Sequence, residues 1–193
     1  MSDSKSSRRE ALRAAAAAAL GGSLTLAAGQ HVHRESEQNR KAAGAYKPKA
    51  LNQHEFRTLD ALSERIIPGA KQAGAAEFID TLAAGSRRLA AIFTGGLAWI
   101  DSQMKRRFDD VFLDAKPEQQ AELLDQIAYR RNASPDLNAG ITFFDWARRL
   151  TVDAYFTSKV GIAALGFQGN TSMQEYQVPA EALQYALKRS PLA

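Results

Sequence analysis

From Phe56 onward, large apolar residues recur at three- and four-residue steps, with Phe56, Leu59, Leu62, Ile66 and Ile67 forming one stripe. A period near 3.6 puts such positions on one face of an amphipathic helix. Its start is Asn52-Gln53-His54-Glu55, a capping box in which the Asn side chain bonds the third amide and the Glu reaches back; its end is Pro68-Gly69. A short second helix carries Phe78, Ile79 and Leu82 and stops near Gly85. The longest stripe is Leu89, Ile92, Phe93, Leu97, Ile100, Met104, Phe108 and then Val111 or Phe112. Gly95-Gly96 interrupts it, so either the helix begins after the glycines or a neighbouring backbone packs closely there. Pro117 opens the next helix, with Leu123, Leu124 and Ile127 inward. Another runs over about 141–155 through Phe144, Ala147 and Leu150. Beyond Thr157 the pattern weakens, and Gly161, Gly166 and Gly169 punctuate a loop-like stretch before a last short helix near 179–187. No segment shows the alternating pattern of a half-buried strand. The predicted fold is all-α, a compact bundle of five or six helices over residues 51–193.

The first fifty residues read differently. Ser7-Arg8-Arg9-Glu10-Ala11-Leu12-Arg13 precedes a stretch, 14–30, without one charged side chain. A basic region followed by an apolar one is the layout of a bacterial secretory signal, and paired arginines at the junction mark the twin-arginine route. Against that route's S-R-R-x-F-L-K pattern, Ser7, Arg8, Arg9 and Leu12 match, Arg13 keeps the lysine's charge, and Ala11 stands where phenylalanine is usual. Sec export stays open as the alternative. An ordinary core helix fits less well, because 14–20 has no polar face and Gly21-Gly22-Ser23 would break it. A permanent span wants about 20 strongly apolar residues, and this stretch is short and alanine-rich. Ala27-Ala28-Gly29 offers a small-x-small cleavage site, and an uncleaved anchor is the other outcome. The expected organisation is thus a signal over 1–29, a flexible linker over 30–50, and the helical domain. The linker reading rests on composition: 30–49 has no large apolar residue except Val32 and Tyr46 and mixes charges with Gly44 and Pro48.

Charge adds little. The chain has 25 basic and 21 acidic residues. The signal stretch holds Lys5, Arg8, Arg9 and Arg13 against Asp3 and Glu10, so the 164 residues after it carry only +2. That weakens any nucleic-acid argument from the high isoelectric point. Cysteine is absent. The chain therefore has no disulfide, no lipidated N-terminal cysteine, no Cys-x-x-Cys-His haem attachment and no cysteine-ligated iron–sulfur cluster.

Candidate chemistry is sparse. His31, His33 and Glu35 fall in the expected linker, where no rigid support converges ligands on a metal, so they read as solvated. No glutamate precedes a histidine by three positions, which removes the di-iron bundle signature. His54 lies in the capping box and reads as surface. Asp109-Asp110 and Glu122/Asp125 read as solvated helix faces. Gly166-Phe167-Gln168-Gly169 spells an RNA-clamping Gly-x-x-Gly without the sheet such a module needs. No catalytic, cofactor-binding or metal-binding residue is assigned. The aromatics say more: Phe143, Phe144, Trp146, Tyr155, Phe156 and Phe167 crowd the last third, and Phe143 and Trp146 lie off the face of Phe144, Ala147 and Leu150. They serve either a second core contact or, with Arg148 and Arg149 nearby, a partner-binding patch.

Several blocks carry a family resemblance over about 51–170: Glu55-Phe56-x-x-Leu59-x-x-Leu62-x-x-x-Ile66-Ile67-Pro68, Gly74-Ala75 with Phe78-Ile79-Asp80, Gly96-Leu97 with Ile100-Asp101, and Pro117-Glu118-Gln119-Gln120. Phe143-Phe144-x-x-x-Arg148-x-Leu150-Thr151, Tyr155-Phe156-Thr157-Ser158 and Leu165-Gly166-Phe167-Gln168-Gly169-Asn170 complete it. The sequence resembles the gluconate 2-dehydrogenase subunit 3 family, the small subunit of membrane-bound flavin-dependent sugar and polyol dehydrogenases. Ala73 departs from it, standing where proline often precedes Gly-Ala. The resemblance implies a non-catalytic helical subunit bound to a large FAD-dependent dehydrogenase of the glucose–methanol–choline class, often with a multihaem c-type cytochrome. It also implies a signal that carries the signal-less flavoprotein through the twin-arginine translocase to the periplasm, with membrane association through the complex. FAD then belongs to the partner and haem c to a third subunit. Export arginines Arg8 and Arg9 and a candidate interface of Phe143, Trp146, Arg148, Tyr155, Phe156, Thr157, Ser158, Phe167 and Asn170 follow. The other functional classes are a free-standing exported helical enzyme or ligand-binding protein, and a membrane-tethered scaffold.

Overall fold

A computed structural model describes residues 3–21, 24–166 and 178–190. Among them the elements are α1 (Asp3–Gly21), α2 (Leu26–Ala43), α3 (Gln53–Ile66), α4 (Ala75–Ala84), α5 (Arg87–Phe108), α6 (Pro117–Ile127), a 3₁₀ turn at Arg130–Asn132, α7 (Asn138–Thr157), α8 (Lys159–Ala164) and α9 (Ala180–Arg189). The described residues contain no strand, as expected for an all-α bundle. Helices α3 to α7 and α9 are the six that periodicity predicts. The short α8 forms because the Ser158 hydroxyl accepts the Gly161 N–H at 3.0 Å.

Local chemistry sets the boundaries. At α3 the capping box is formed in full: Asn52 Oδ1 accepts the Glu55 N–H at 2.9 Å and Glu55 Oε2 accepts the Asn52 N–H at 2.8 Å. The helix stops where Ile67, preceding proline, turns extended. The turn that follows is held by Glu64, whose carboxylate accepts the N–H groups of Gly69 (2.8 Å) and Lys71 (2.9 Å), and those bonds keep its carboxyl below the usual range. At Lys116 the N–H donates to Gln119 Oε1 at 2.9 Å, next to Pro117 at the start of α6.

Helix α4 is the axle. Eight of its ten residues are buried, including Phe78, Ile79 and Leu82, because α1, α2, α3, α5 and α7 all pack around it. A helix covered on all sides needs apolar or paired side chains on all sides. Phe78, Phe93, Phe112 and Phe143 are the largest fully buried side chains, and Phe93 of α5 meets Phe143 of α7 edge-on.

The glycines in α5 have a different explanation from both expected ones. The helix runs through Gly95-Gly96 unbroken, and what approaches Gly96 is a ring, not a backbone: a Cβ there would fall 1.9 Å from Phe143. The relation is reciprocal, since a Cβ on Gly140 of α7 would fall 2.2 Å from Trp99 of α5. Each helix thus offers a glycine to the other's aromatic ring. Phe143 is consequently core, 2% exposed and edge-on to Phe93 at 5.7 Å, which corrects its place among the candidate interface residues.

The second correction concerns the expected linker. Residues 26–43 are helix α2, capped by Thr25 and packed on α4 and α7. Its contact face is Gly29, Val32, His33 and Ser36, at helical spacing. A Cβ on Gly29 would come within 2.5 Å of Thr157, so the helices meet almost backbone to side chain. A test that counts large apolar residues misses a face built from glycine, serine and histidine. Ala15, Ala16 and Ala19 of α1 are buried in the same small-residue manner, and Arg149 donates to the Ala19 carbonyl. No helix among the described residues is long and apolar enough to cross a membrane.

The two central glycines of α5 should behave oppositely. Gly96→Ala forces its methyl into the Phe143 ring and lowers unfolding stability by about 1–3 kcal/mol, as overpacking does. Gly95→Ala meets open space and raises it by about 0.5–1 kcal/mol through helix propensity. Equilibrium urea denaturation of the two variants reads the difference; equal effects would contradict the ring contact.

Candidate functional site

The candidate interface residues separate into three groups. Ser158 joins Phe143 out of reach of a partner: it is buried, caps α8, and donates its hydroxyl to Tyr155 O at 2.7 Å. Trp146, Tyr155 and Thr157 are half-buried. Arg149 lies over the Trp146 ring at 4.0 Å, Tyr155 covers the turn at Gly69, and the Thr157 hydroxyl donates to Asp153 O at 2.7 Å. Burial raises the Asp153 carboxyl, and Arg149 opposes that rise. Of the described candidates only Arg148 and Phe156 are exposed, Phe156 standing edge-on to Tyr155 at 5.1 Å. Phe167 and Asn170 lie outside the described residues, as do the side chains of Arg8 and Arg9.

A cleft of about 590 Å³ opens between α2, the turn before α4, and α8. His33, Arg34, Arg40, Glu77, Lys159 and Ile162 are among its lining residues, and Arg40 is ion-paired to Glu77. His33 is not the solvated linker residue expected. Its Nε2 bonds Ala154 O at 2.9 Å and lies 3.2 Å from the Thr157 hydroxyl, while its ring packs on Phe78 at 4.8 Å. Burial lowers its basicity, the bond to Ala154 only partly opposing this. His54 is surface, as expected, and bonded to Asp101 at 2.6 Å. Among the described residues no three His, Cys, Asp or Glu side chains converge as metal ligands would.

One comparison with known proteins is decisive: the family described as Gluconate 2-dehydrogenase subunit 3 matches residues 53–174. The chain belongs to the gluconate 2-dehydrogenase subunit 3 family. No curated protein and no solved structure matches it. The family is that of a subunit of a dehydrogenase complex, so dehydrogenase partners are implied.

Within the matched span of this subunit 3 chain, polar residues that a search for chemistry passes over turn out to fix the fold. Asp80 is fully buried, and its carboxylate accepts four bonds: from the N–H groups of Lys49 (2.7 Å), Ala50 (3.0 Å) and Leu51 (2.9 Å), and from the Tyr46 hydroxyl (2.8 Å). Burial, with Asp80 alongside, pushes the Tyr46 phenol up, keeping it a donor. Asp101 likewise accepts the Phe112 N–H at 3.0 Å and pairs with His54. Gln120 donates to Phe112 O at 2.6 Å and accepts from Arg65 at 3.0 Å, and Thr151 bonds Ser63 in the core. The signal in the sequence was Asp80 itself, one charge inside Phe78-Ile79-Asp80-Thr81-Leu82; a charge in an apolar run is buried only when paired.

Asp80→Ala strands three backbone N–H groups and should cost about 3–5 kcal/mol of stability in urea titration. A cost under about 0.5 kcal/mol would mean the segment is not pinned there. The His33 sign is opposite to that of a paired histidine. Because burial lowers its folded value below the ordinary 6.5, the unfolded chain takes up the proton first. Stability should therefore fall as pH drops below about 6.5 and level off beneath the folded value. His33→Gln should flatten that part of the profile, measured as melting temperature against pH; an unchanged slope would assign the titration elsewhere.

Proposed function

We propose that this chain is the non-catalytic small subunit of a periplasmic FAD-dependent sugar or polyol dehydrogenase of the glucose–methanol–choline class. It stabilises the flavoprotein and escorts it through twin-arginine export. The observation that carries this reading is the family match over residues 53–174, which names a subunit of a dehydrogenase complex. The export half is supported by Ser7-Arg8-Arg9-Glu10-Ala11-Leu12-Arg13 ahead of an uncharged stretch. A flavoprotein folds around its cofactor before it can be exported loaded, so a helper bearing a folded-protein signal suits it. Binding only the native state of a partner stabilises that state by mass action, which needs no active site in the helper. With no cysteine in this chain, c-type haem attachment belongs to another subunit, the accompanying cytochrome.

Expression of the flavoprotein with and without this chain, followed by dehydrogenase assay of the periplasm, tests the escort role. Activity should require the chain, and equal activity in both strains removes the role. Replacing Arg8 and Arg9 by lysine should hold both polypeptides in the cytoplasm, read by fractionation and immunoblot. Normal export of the double variant would point to Sec.

A further inference from the structure

A subunit needs a face that a sister chain can cover, and a face shared across the family lies inside the matched span. Among the described residues of that span, four large apolar side chains are exposed: Tyr129 (50%), Val152 (38%), Phe156 (39%) and Leu165 (62%). The first three fall in one row with Arg148. Positions 148, 152 and 156 of α7 are each four apart and so share a helix face. Arg148 donates to Ala128 O at 3.4 Å, which sets the backbone leading into Tyr129 beside the Arg148 end of that row.

Arginines outnumber carboxylates among the ion-pair and ring contacts of the row. Arg131 lies over the Tyr129 ring at 4.5 Å, and Arg130 and Arg148 both pair with a single carboxylate, Asp145, at 2.8 and 2.9 Å. Two guanidinium groups therefore share one carboxylate, and a third covers the Tyr129 ring, beside an apolar, aromatic centre. Aromatic and arginine side chains are the types most enriched where protein partners bury each other's surface.

We propose that the row Tyr129–Arg148–Val152–Phe156 is the docking face for the dehydrogenase subunit, which presents to it an apolar pocket rimmed by carboxylates. The inference rests on the subunit reading above. A second copy of this chain suits the face poorly. A two-fold contact would set the same row against itself, and its one carboxylate is already shared by two arginines.

The test uses the full chain and the flavin dehydrogenase subunit of the same organism, with affinity measured by titration calorimetry. Phe156→Glu and Arg148→Glu should each weaken binding by at least about thirtyfold, the size of an interface hot spot. Leu183→Ser, at an exposed position of α9 that is not part of the row, should stay within about twofold. Far-ultraviolet circular dichroism and the urea midpoint verify folding, and Arg148, an exposed side chain, keeps the test open if Phe156→Glu unfolds. Unchanged affinity in the charge variants overturns the docking face while leaving the subunit reading intact. Self-association of the wild type that these variants abolish also overturns it, since the row would then belong to a homodimer. If wild type does not bind the dehydrogenase at all, the subunit reading itself fails.

Discussion

The structure depends on one buried carboxylate. Asp80 stands in the middle of α4, the helix that α1, α2, α3, α5 and α7 pack around, and a lone charge there would be intolerable. It is tolerated because three successive backbone N–H groups and a phenol converge on it. The same bonds fix where the chain enters α3, because Lys49, Ala50 and Leu51 lead directly into the Asn52 capping box. One side chain thus sets the relation of α3 to α4, and with it the surface that the later helices can build. Such an arrangement specifies position more than it adds net stability, since desolvating a carboxylate consumes much of what its bonds return.

Around that axle, close approach is achieved by removing side chains rather than by adding large ones. Gly96 receives Phe143, Gly140 receives Trp99, and Gly29 receives Thr157. The exchange between α5 and α7 turns Phe143, one of the aromatic residues of the last third, inward, and the exposed positions of α7 include Arg148, Val152 and Phe156. Packing and recognition are therefore coupled: which aromatics are available to a partner is decided by where glycine lets a ring sink. For a subunit whose family role is to assemble with a dehydrogenase, that division of the aromatics is the step from fold to function.

Much of this was legible in the sequence where side chains carry periodicity or caps. Asn52-Gln53-His54-Glu55, Pro68-Gly69, Pro117 and the stripe from Leu89 to Phe108 locate three helix boundaries and the longest helix, because capping and burial act through neighbours in sequence. Helix α2 was not legible. Its docking uses Gly29, Ser36 and the half-buried His33, whose bond to Ala154 spans 121 residues, and a window of local hydrophobicity contains nothing of that. Phe143 and Trp146 could not be sorted either, since the burial of one depends on a glycine in α5 and the cover of the other on Arg149. Asp80 was visible as an anomaly, but its four donors come from a stretch about thirty residues upstream.

The central claim is that this polypeptide supplies a folded surface while another chain holds the flavin and performs the oxidation. Native mass spectrometry of the complex isolated from its own host addresses it most directly. The account predicts an assembly in which this chain can be dissociated free of cofactor while the flavin mass stays with a larger subunit. Flavin retained by this chain, or sugar oxidation by it in isolation, would contradict the account.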